Sequence, residues 1–305
     1  MIVSPSPEAL SQAAEIIRGG GLVAFPTETV YGLGAHALDV EAVARIYRAK
    51  ERPFANPLIV HVADEAMARS LVREWPPLAE RLAKRFWPGP LTLVLRKAEI
   101  VPDLVTAGLD SVGIRIPSHP VALALIRRAG VPIAAPSANR FTQVSPTTAQ
   151  HVANGLGDRV DLILDGGATE VGIESTVVSL RRTPPAILRP GMISKSDLEA
   201  ATGVSWDCEE DKPHIVEEPA ESPGQHPKHY SPRTPFYVLA ASASVPAGQG
   251  KLLELPTDPK RYARELYAAL HAADQEGWQW IAVRRPPDTV EWAGILDRLK
   301  RASAE

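Results

Sequence analysis

Cysteine is almost missing from this chain: among 305 residues there is one, Cys208. An internal disulfide is excluded, which suits a reducing compartment. Long apolar runs are missing too. Nothing approaches the roughly 20 residues of a membrane-spanning helix, so no membrane partner is expected. The opening MIVSPSPEAL lacks the basic start and apolar stretch of a secretory signal, and a cytoplasmic location is expected. Charge of one sign is also scarce. Lys and Arg number 33 against 36 Asp and Glu, a net of −3. That balance argues against a protein that coats nucleic acid, while leaving room for a local basic cleft. Two nucleotide signatures are absent as well, G-x-x-x-x-G-K-[ST] and G-x-G-x-x-G after a first strand. The stretch GLGDRVDLILDGG contains glycines but fits neither.

What is present is ordinary globular material, 45% hydrophobic, in a length that suggests two domains. Up to about residue 205, strand-like and helix-like segments interleave. Ser6 and Pro7 open a helix with Leu10, Ala13, Ala14 and Ile17 on one face, and Gly19-Gly20-Gly21 ends it. LVAF reads as a buried strand ending at Pro26. Asp39 caps a helix bearing Val40, Val43, Ala44 and Tyr47. PLIVHV, LTLVLR, SVGIRIP, PIAAPSA, DLILDGG, STVVSL and AILRPG read as strands, and PPLAERLAKRFWPG as a helix. This interleaving predicts an α/β domain over residues 1–205. Residues 206–232 carry five prolines and acidic pairs without periodicity, and are expected to form an extended linker. Residues 233–305 return to α/β character, with strands FYVLA and WIAVRR. One helical face there holds Leu266, Ala269, Leu270 and Ala273, another Trp292, Ile295, Leu296 and Leu299.

The loops of the first domain share a feature: each leaves an apolar strand and at once presents hydroxyls, amides or a cation. Thr27, Glu28 and Thr29 follow LVAF. Lys50 and Arg52 separate a helix from a strand, and His61 and Arg115 sit within strands. Ser137, Asn139 and Ser145 follow PIAAP, Ser175 and Thr176 follow GIE, and Arg189 precedes Pro-Gly. Strand ends are where open α/β sheets hold ligands. If these loops converge they make a polar, cationic pocket suited to polyphosphate. Each residue also has a plainer reading. Lys50 and Arg52 end a helix, where cations favour the macrodipole. His61 alternates with apolar residues, as a core histidine would. Arg115 fits a buried ion pair, and Ser137 and Asn139 fit a turn. His226 and His229 have no acidic or cysteine companions, so a zinc site there is not expected.

The motifs PTETVYGLG, K-x-R-P…NPLIVHV, SVGIRIP, APSAN…SPTTAQHV, ESTVVSL and ILRPG occur in that order. As a series they resemble the YrdC-type threonylcarbamoyl-AMP synthases. SPGQHPKHYSP and the segment after it resemble the two-domain branch. The resemblance implies a twisted mixed sheet with helices around a cationic cleft, plus a small Rossmann-like α/β domain. It implies synthesis of threonylcarbamoyl-adenylate and pyrophosphate from L-threonine, bicarbonate and ATP, with magnesium accompanying ATP. The product would pass to tRNA-modification transferases, tRNA being reached indirectly. By the same resemblance Thr29, His61, Arg115, Ala135 and Ser175 would hold L-threonine. Lys50, Arg52, Asn56, Ser111, Ser137, Asn139, Ser145, Arg189 and Tyr230 would surround ATP. No residue stands out as a general base. SPGQHPKHYSP is expected to act as a lid, its prolines reducing the entropy lost on closing. An RNA-binding module of the same fold, without ATP turnover, is the alternative.

Overall fold

A computed structural model describes residues 1–208 and 229–303. Eleven strands form one mixed sheet. They are β1 (Ile2–Val3), β2 (Val23–Pro26), β3 (Tyr31–His36), β4 (Ile59–His61), β5 (Leu91–Arg96), β6 (Ser111–Arg115), β7 (Ile133–Ala134), β8 (Leu162–Leu164), β9 (Thr176–Ser179), β10 (Ala186–Arg189) and β11 (Asp207–Cys208). Their order across the sheet is β1-β8-β2-β3-β7-β4-β6-β5-β9-β10-β11. Alternate residues of a strand serve opposite faces. Val23 and Phe25 join the apolar cluster under helices Pro7–Arg18 and Pro120–Ala129. Leu22 and Ala24 join the larger cluster fed by helices Val40–Lys50, Pro77–Phe86, Ala149–Leu156 and Lys195–Thr202. With both faces covered, the strands are buried along most of their length.

Local chemistry sets the element ends. Ser6 Oγ accepts from Ala9 N at 3.2 Å and Asp39 Oδ1 from Glu41 N at 2.9 Å, so both predicted caps are made. PIAAPSA yields only the two-residue β7, since Pro136 has no N–H to continue a ladder. Strand β3 is not announced by the sequence, because Gly32 and Gly34 dilute its pattern. The large sheet runs past residue 205: Trp206 is fully buried, and β11 pairs in parallel with β10. Residues 209–228, most of the expected linker, lie outside the described residues.

A second, parallel sheet of order β12-β14-β13 contains β12 (Phe236–Leu239), β13 (Gly250–Leu253) and β14 (Trp280–Arg284). Strand β13 was not apparent in the sequence. It starts at Gly250, where a Cβ would lie 1.9 Å from the Trp280 ring. Helices Pro259–Gln275 and Ala293–Ala302 pack with this sheet. Their apolar faces share one core with Val30, Val144 and Ile173 of the first domain, and with Tyr230. Contact between the two parts is close. At Gly172 (φ 84°) a Cβ would meet the carbonyl oxygen of Ala263 at 2.3 Å.

Candidate active site

Topology gathers the polar loops at one place. His61 and Arg115 are register partners at the C-terminal ends of the parallel neighbours β4 and β6. Thr29 lies in the turn joining β2 to β3. Ser175 leads into β9, and Arg189 closes β10 opposite Val177. Between them is a cavity of about 50 Å³, lined among others by Thr29, Arg52, His61, Arg115, Ala135, Ser137, Glu174, Ser175, Arg189 and Tyr230. Pockets for drug-sized ligands run to roughly 300–1,000 Å³. This volume suits a water or two, and His229 and Tyr230 are among the residues that wall it.

On the β4–β6 side, Arg115 Nε donates to Gly89 O at 3.2 Å and Nη1 to Thr29 Oγ1 at 3.0 Å, while Nη2 lies 2.6 Å from Glu28 Oε1. A guanidinium has five donors, and only Nε and one N–H of Nη1 are used in hydrogen bonds among the described residues, so both terminal nitrogens keep donors. Glu28 also accepts from Ser118 N at 3.1 Å. Thr27 and Thr29 hydroxyls bond each other at 2.8 Å, which fixes the turn. Burial, then the neighbouring Arg115, push His61 down to about 3, so its ring is neutral. Its Nδ1 is buried without a hydrogen-bond partner among the described residues. Ala135 N is committed to Ile59 O at 2.9 Å.

On the other side, burial lowers Arg52 to about 10, leaving it charged near neutral pH. Its Nη2 donates to Pro57 O at 3.2 Å, and its Nε lacks a partner among the described residues. Its guanidinium sits 5.6 Å from the Phe141 ring centre. Arg189 donates to the Ser175 carbonyl from Nε and Nη2 at 3.2 and 3.1 Å, and Ser175 Oγ lies 2.8 Å from Thr92 Oγ1. Lys50 is placed differently from the arginines. Its ammonium is fully buried and donates to the carbonyls of Ser137 and Asn139 at 2.6 and 2.5 Å. Burial, then Arg52, hold its pKa well below the usual value. It organises the 137–139 loop rather than lining the cavity. Asn139 spans that loop, donating to the carbonyls of Arg140 and Gln143 at 2.8 and 2.7 Å. Ser111 is buried in β6, and half-buried Asn56 accepts from Tyr47 through its carbonyl. Neither lines the cavity.

Two parts of the site had no assigned role in the sequence. One is Glu28. The other is Glu174, which accepts from Ser145 Oγ at 2.5 Å, Arg298 Nε at 2.7 Å and Tyr267 Oη at 3.1 Å. Burial pushes the Glu174 carboxyl up, but Arg298, Arg189 and the Ser145 hydroxyl outweigh it and hold it below its ordinary value. Each glutamate stands beside a residue already singled out, PTET around Thr29 and IES before Ser175, and that adjacency was the available signal. Arg298 belongs to the last helix and lies three residues beyond Ile295, on its buried face.

Of SPGQHPKHYSP, residues 222–228 lie outside the described residues, and His229 and Tyr230 line the cleft. Tyr230 is fully buried with φ 62°, a conformation that costs a bulky residue roughly 1–2 kcal/mol. Its ring lies 5.1 Å from the Arg298 guanidinium and stacks on Tyr267 at 6.0 Å. Its hydroxyl has no hydrogen-bond partner among the described residues. A separate cavity of about 300 Å³ lies between the two parts of the chain, beside the stacked rings of His151 and His271. It contains none of the predicted site residues. Among the described residues no three His, Cys, Asp or Glu side chains cluster as metal ligands, and no helix is long and apolar enough to cross a membrane.

Family models account for nearly the whole chain. The Sua5–YciO–YrdC model, described as telomere recombination, matches residues 15–191. The model for the C-terminal domain of threonylcarbamoyl-AMP synthase matches residues 193–304. The chain belongs to the Sua5–YciO–YrdC family. A Pyrococcus abyssi relative named threonylcarbamoyl-AMP synthase is 49% identical over 95% of this chain and 93% of its own length. A Bacillus subtilis protein of the same name is 41% identical over 99% and 94%. The crystal structure of P. abyssi Sua5 complexed with L-threonine superposes with a TM-score of 0.91 at 38% identity, covering 99% of this chain and 97% of that one.

Proposed function

We propose that this chain is a threonylcarbamoyl-AMP synthase, an enzyme that makes L-threonylcarbamoyladenylate from L-threonine, bicarbonate and ATP. The observation that carries the reading is the closed cleft: three buried arginines and a neutral histidine converge there, in a chain that shares both domains with relatives of that name. The threonine amine adds to bicarbonate, with loss of water, to give a carbamate. A carbamate oxygen then attacks the α-phosphorus of ATP, and pyrophosphate leaves with the electrons of the broken P–O bond. No covalent intermediate with the protein is required, so positioning and charge neutralisation do the work.

In this reading Arg115 receives the threonine carboxylate on donors left on its terminal nitrogens, a pairing that suits a planar guanidinium. Neutral His61, Thr29, Ser175 and the Ala135 backbone shape the rest of that pocket. Arg52 and Arg189 face the phosphates. Lys50 supports them by holding the loop of Ser137 and Asn139, with Ser145 beyond. Magnesium enters bound to ATP, because the two carboxylates of the cleft are committed to the chain's own cations. ATP far exceeds about 50 Å³, so His229 and Tyr230 leave their seats to admit it and then close over it, excluding water from the adenylate. The product is consumed in forming N6-threonylcarbamoyladenosine in tRNA, in the cytoplasm, by downstream transferases. The test is pyrophosphate release from purified protein with ATP, magnesium, bicarbonate and L-threonine. Release that requires threonine and bicarbonate is the expected result, and equal release without threonine refutes the reading.

A further inference from the structure

The second domain sends one charged side chain into the catalytic half. Arg298, from helix Ala293–Ala302, is wholly buried. Its Nε donates to Glu174 Oε2 at 2.7 Å, and its Nη1 to Pro190 O at 3.0 Å and to Asp297. Asp297 is served as well by Arg301 Nε at 2.7 Å. The face of the same guanidinium carries the Tyr230 ring. Tyr267, from the other helix of that domain, supplies a second donor to Glu174. The carboxylate they hold lines the cavity together with Arg52, Arg189 and Tyr230. A bare carboxylate is the wrong charge for a cleft meant to take a polyphosphate, and a buried one is weakly screened. Three of its roughly four lone-pair sites are taken by Ser145, Tyr267 and Arg298, so it is poorly placed to act as a base or a metal ligand.

We infer that Arg298 is a positioning residue for ATP: it cancels the charge of Glu174 and holds Ser145 and Tyr230 around a cleft that stays net positive. This rests on the reading of the cleft as an ATP site. The second domain is then part of the active site rather than an appendage, because the counter-ion of a cavity-lining carboxylate comes from it. Burial works against the Arg298 charge, but Tyr230, Glu174, Asp297 and Tyr267 together hold it well above its ordinary pKa. The pair is therefore ionised throughout the working range.

The test uses full-length protein carrying Arg298→Met, Glu174→Gln or both, each checked for its melting temperature. Pyrophosphate release is followed against ATP and, separately, against L-threonine. Arg298→Met is expected to raise KM for ATP about ten- to a hundredfold and KM for threonine less than threefold. Adding Glu174→Gln to Arg298→Met is expected to restore at least fivefold of the ATP effect, since the unpaired charge is gone. An unchanged KM for ATP in Arg298→Met overturns the inference. So does a double variant as impaired as the single one, which would mean that Arg298 acts by packing alone. If Arg298→Met does not fold, the double variant carries the test, because removing both buried charges together is tolerated far better than removing one. A KM for ATP within threefold of Glu174→Gln supports the inference, and a tenfold excess overturns it. Wild-type turnover tests the parent reading separately. If the wild type does not turn over, the same variants are compared for ATP binding by calorimetry, with the same ratios expected.

Discussion

Replacing Arg52 with alanine removes a buried cation whose Nε lacks a partner among the described residues. What the side chain does for the fold is modest. It makes one hydrogen bond to Pro57 O and one cation–π contact with Phe141, about 1–3 kcal/mol together. That corresponds to a fall in melting temperature of several degrees. Its contribution to a bound phosphate is larger in kinetic terms. A hydrogen bond to a charged group is worth about 1.5–3 kcal/mol, and 1.4 kcal/mol is a factor of ten. Arg52→Ala is therefore expected to lower kcat/KM for ATP about ten- to a hundredfold while the protein stays folded. Arg52→Lys, which keeps the charge but not the planar fork, should fall between. Since burial lowers Arg52 only to about 10, the defect should be constant from pH 6 to 8. The assay is initial-rate pyrophosphate release across ATP concentrations, with circular dichroism on each variant. Wild-type kinetics for Arg52→Ala would refute the placement of phosphate beside this residue and leave it a helix-end cation.

Arg115→Ala strands Glu28 in a buried site and should cost about 3–5 kcal/mol of stability, measured by urea unfolding; a loss below about 1 kcal/mol would show that the pair is not desolvated. L-Serine lacks one methyl, worth about 1–3 kcal/mol in a fitted pocket, so its kcat/KM should be about ten- to two-hundredfold below that of L-threonine, and parity would mean that no methyl-sensing pocket exists. Burial, then His271, lower His151 to about 4, and burial lowers His271. The unfolded chain thus takes up these protons first as pH falls below about 6.5. The stability tied to the stacked rings is complete above pH 6.5 and lost on the way to pH 4. His271→Gln should flatten the fall in melting temperature over that window, and an unchanged slope would rule out the stack as its cause.

Sequence alone went far where chemistry is local. Caps at Ser6 and Asp39, strands such as LTLVLR, and polar loops leaving apolar strands are all written in neighbouring residues. So is the shared location of His61, Arg115, Ser175 and Arg189, since strand ends of one sheet converge. The limits were also physical. Strands β3 and β13 carry glycine where aromatic rings or other backbone come close, and glycine dilutes the pattern that announces a strand. Lys50 has the right charge and neighbourhood for a phosphate ligand, but its length lets it reach two carbonyls of a loop almost ninety residues away. That preference depends on the packed structure. Arg298 is legible only as an arginine on an apolar helix face; its partner, Glu174, is supplied by the tertiary fold.

Glu174 and Arg298 are separated by 124 positions. At about 5–20 residues per second, translation takes about 6–25 s to travel from one to the other. For that interval a growing polypeptide possesses the acid without its counter-ion. The loop around Glu174 must then keep the carboxylate in water or take up a proton, and neither state matches the finished cleft. Each newly synthesised molecule thus completes the lining of its cleft only when its final helix has docked.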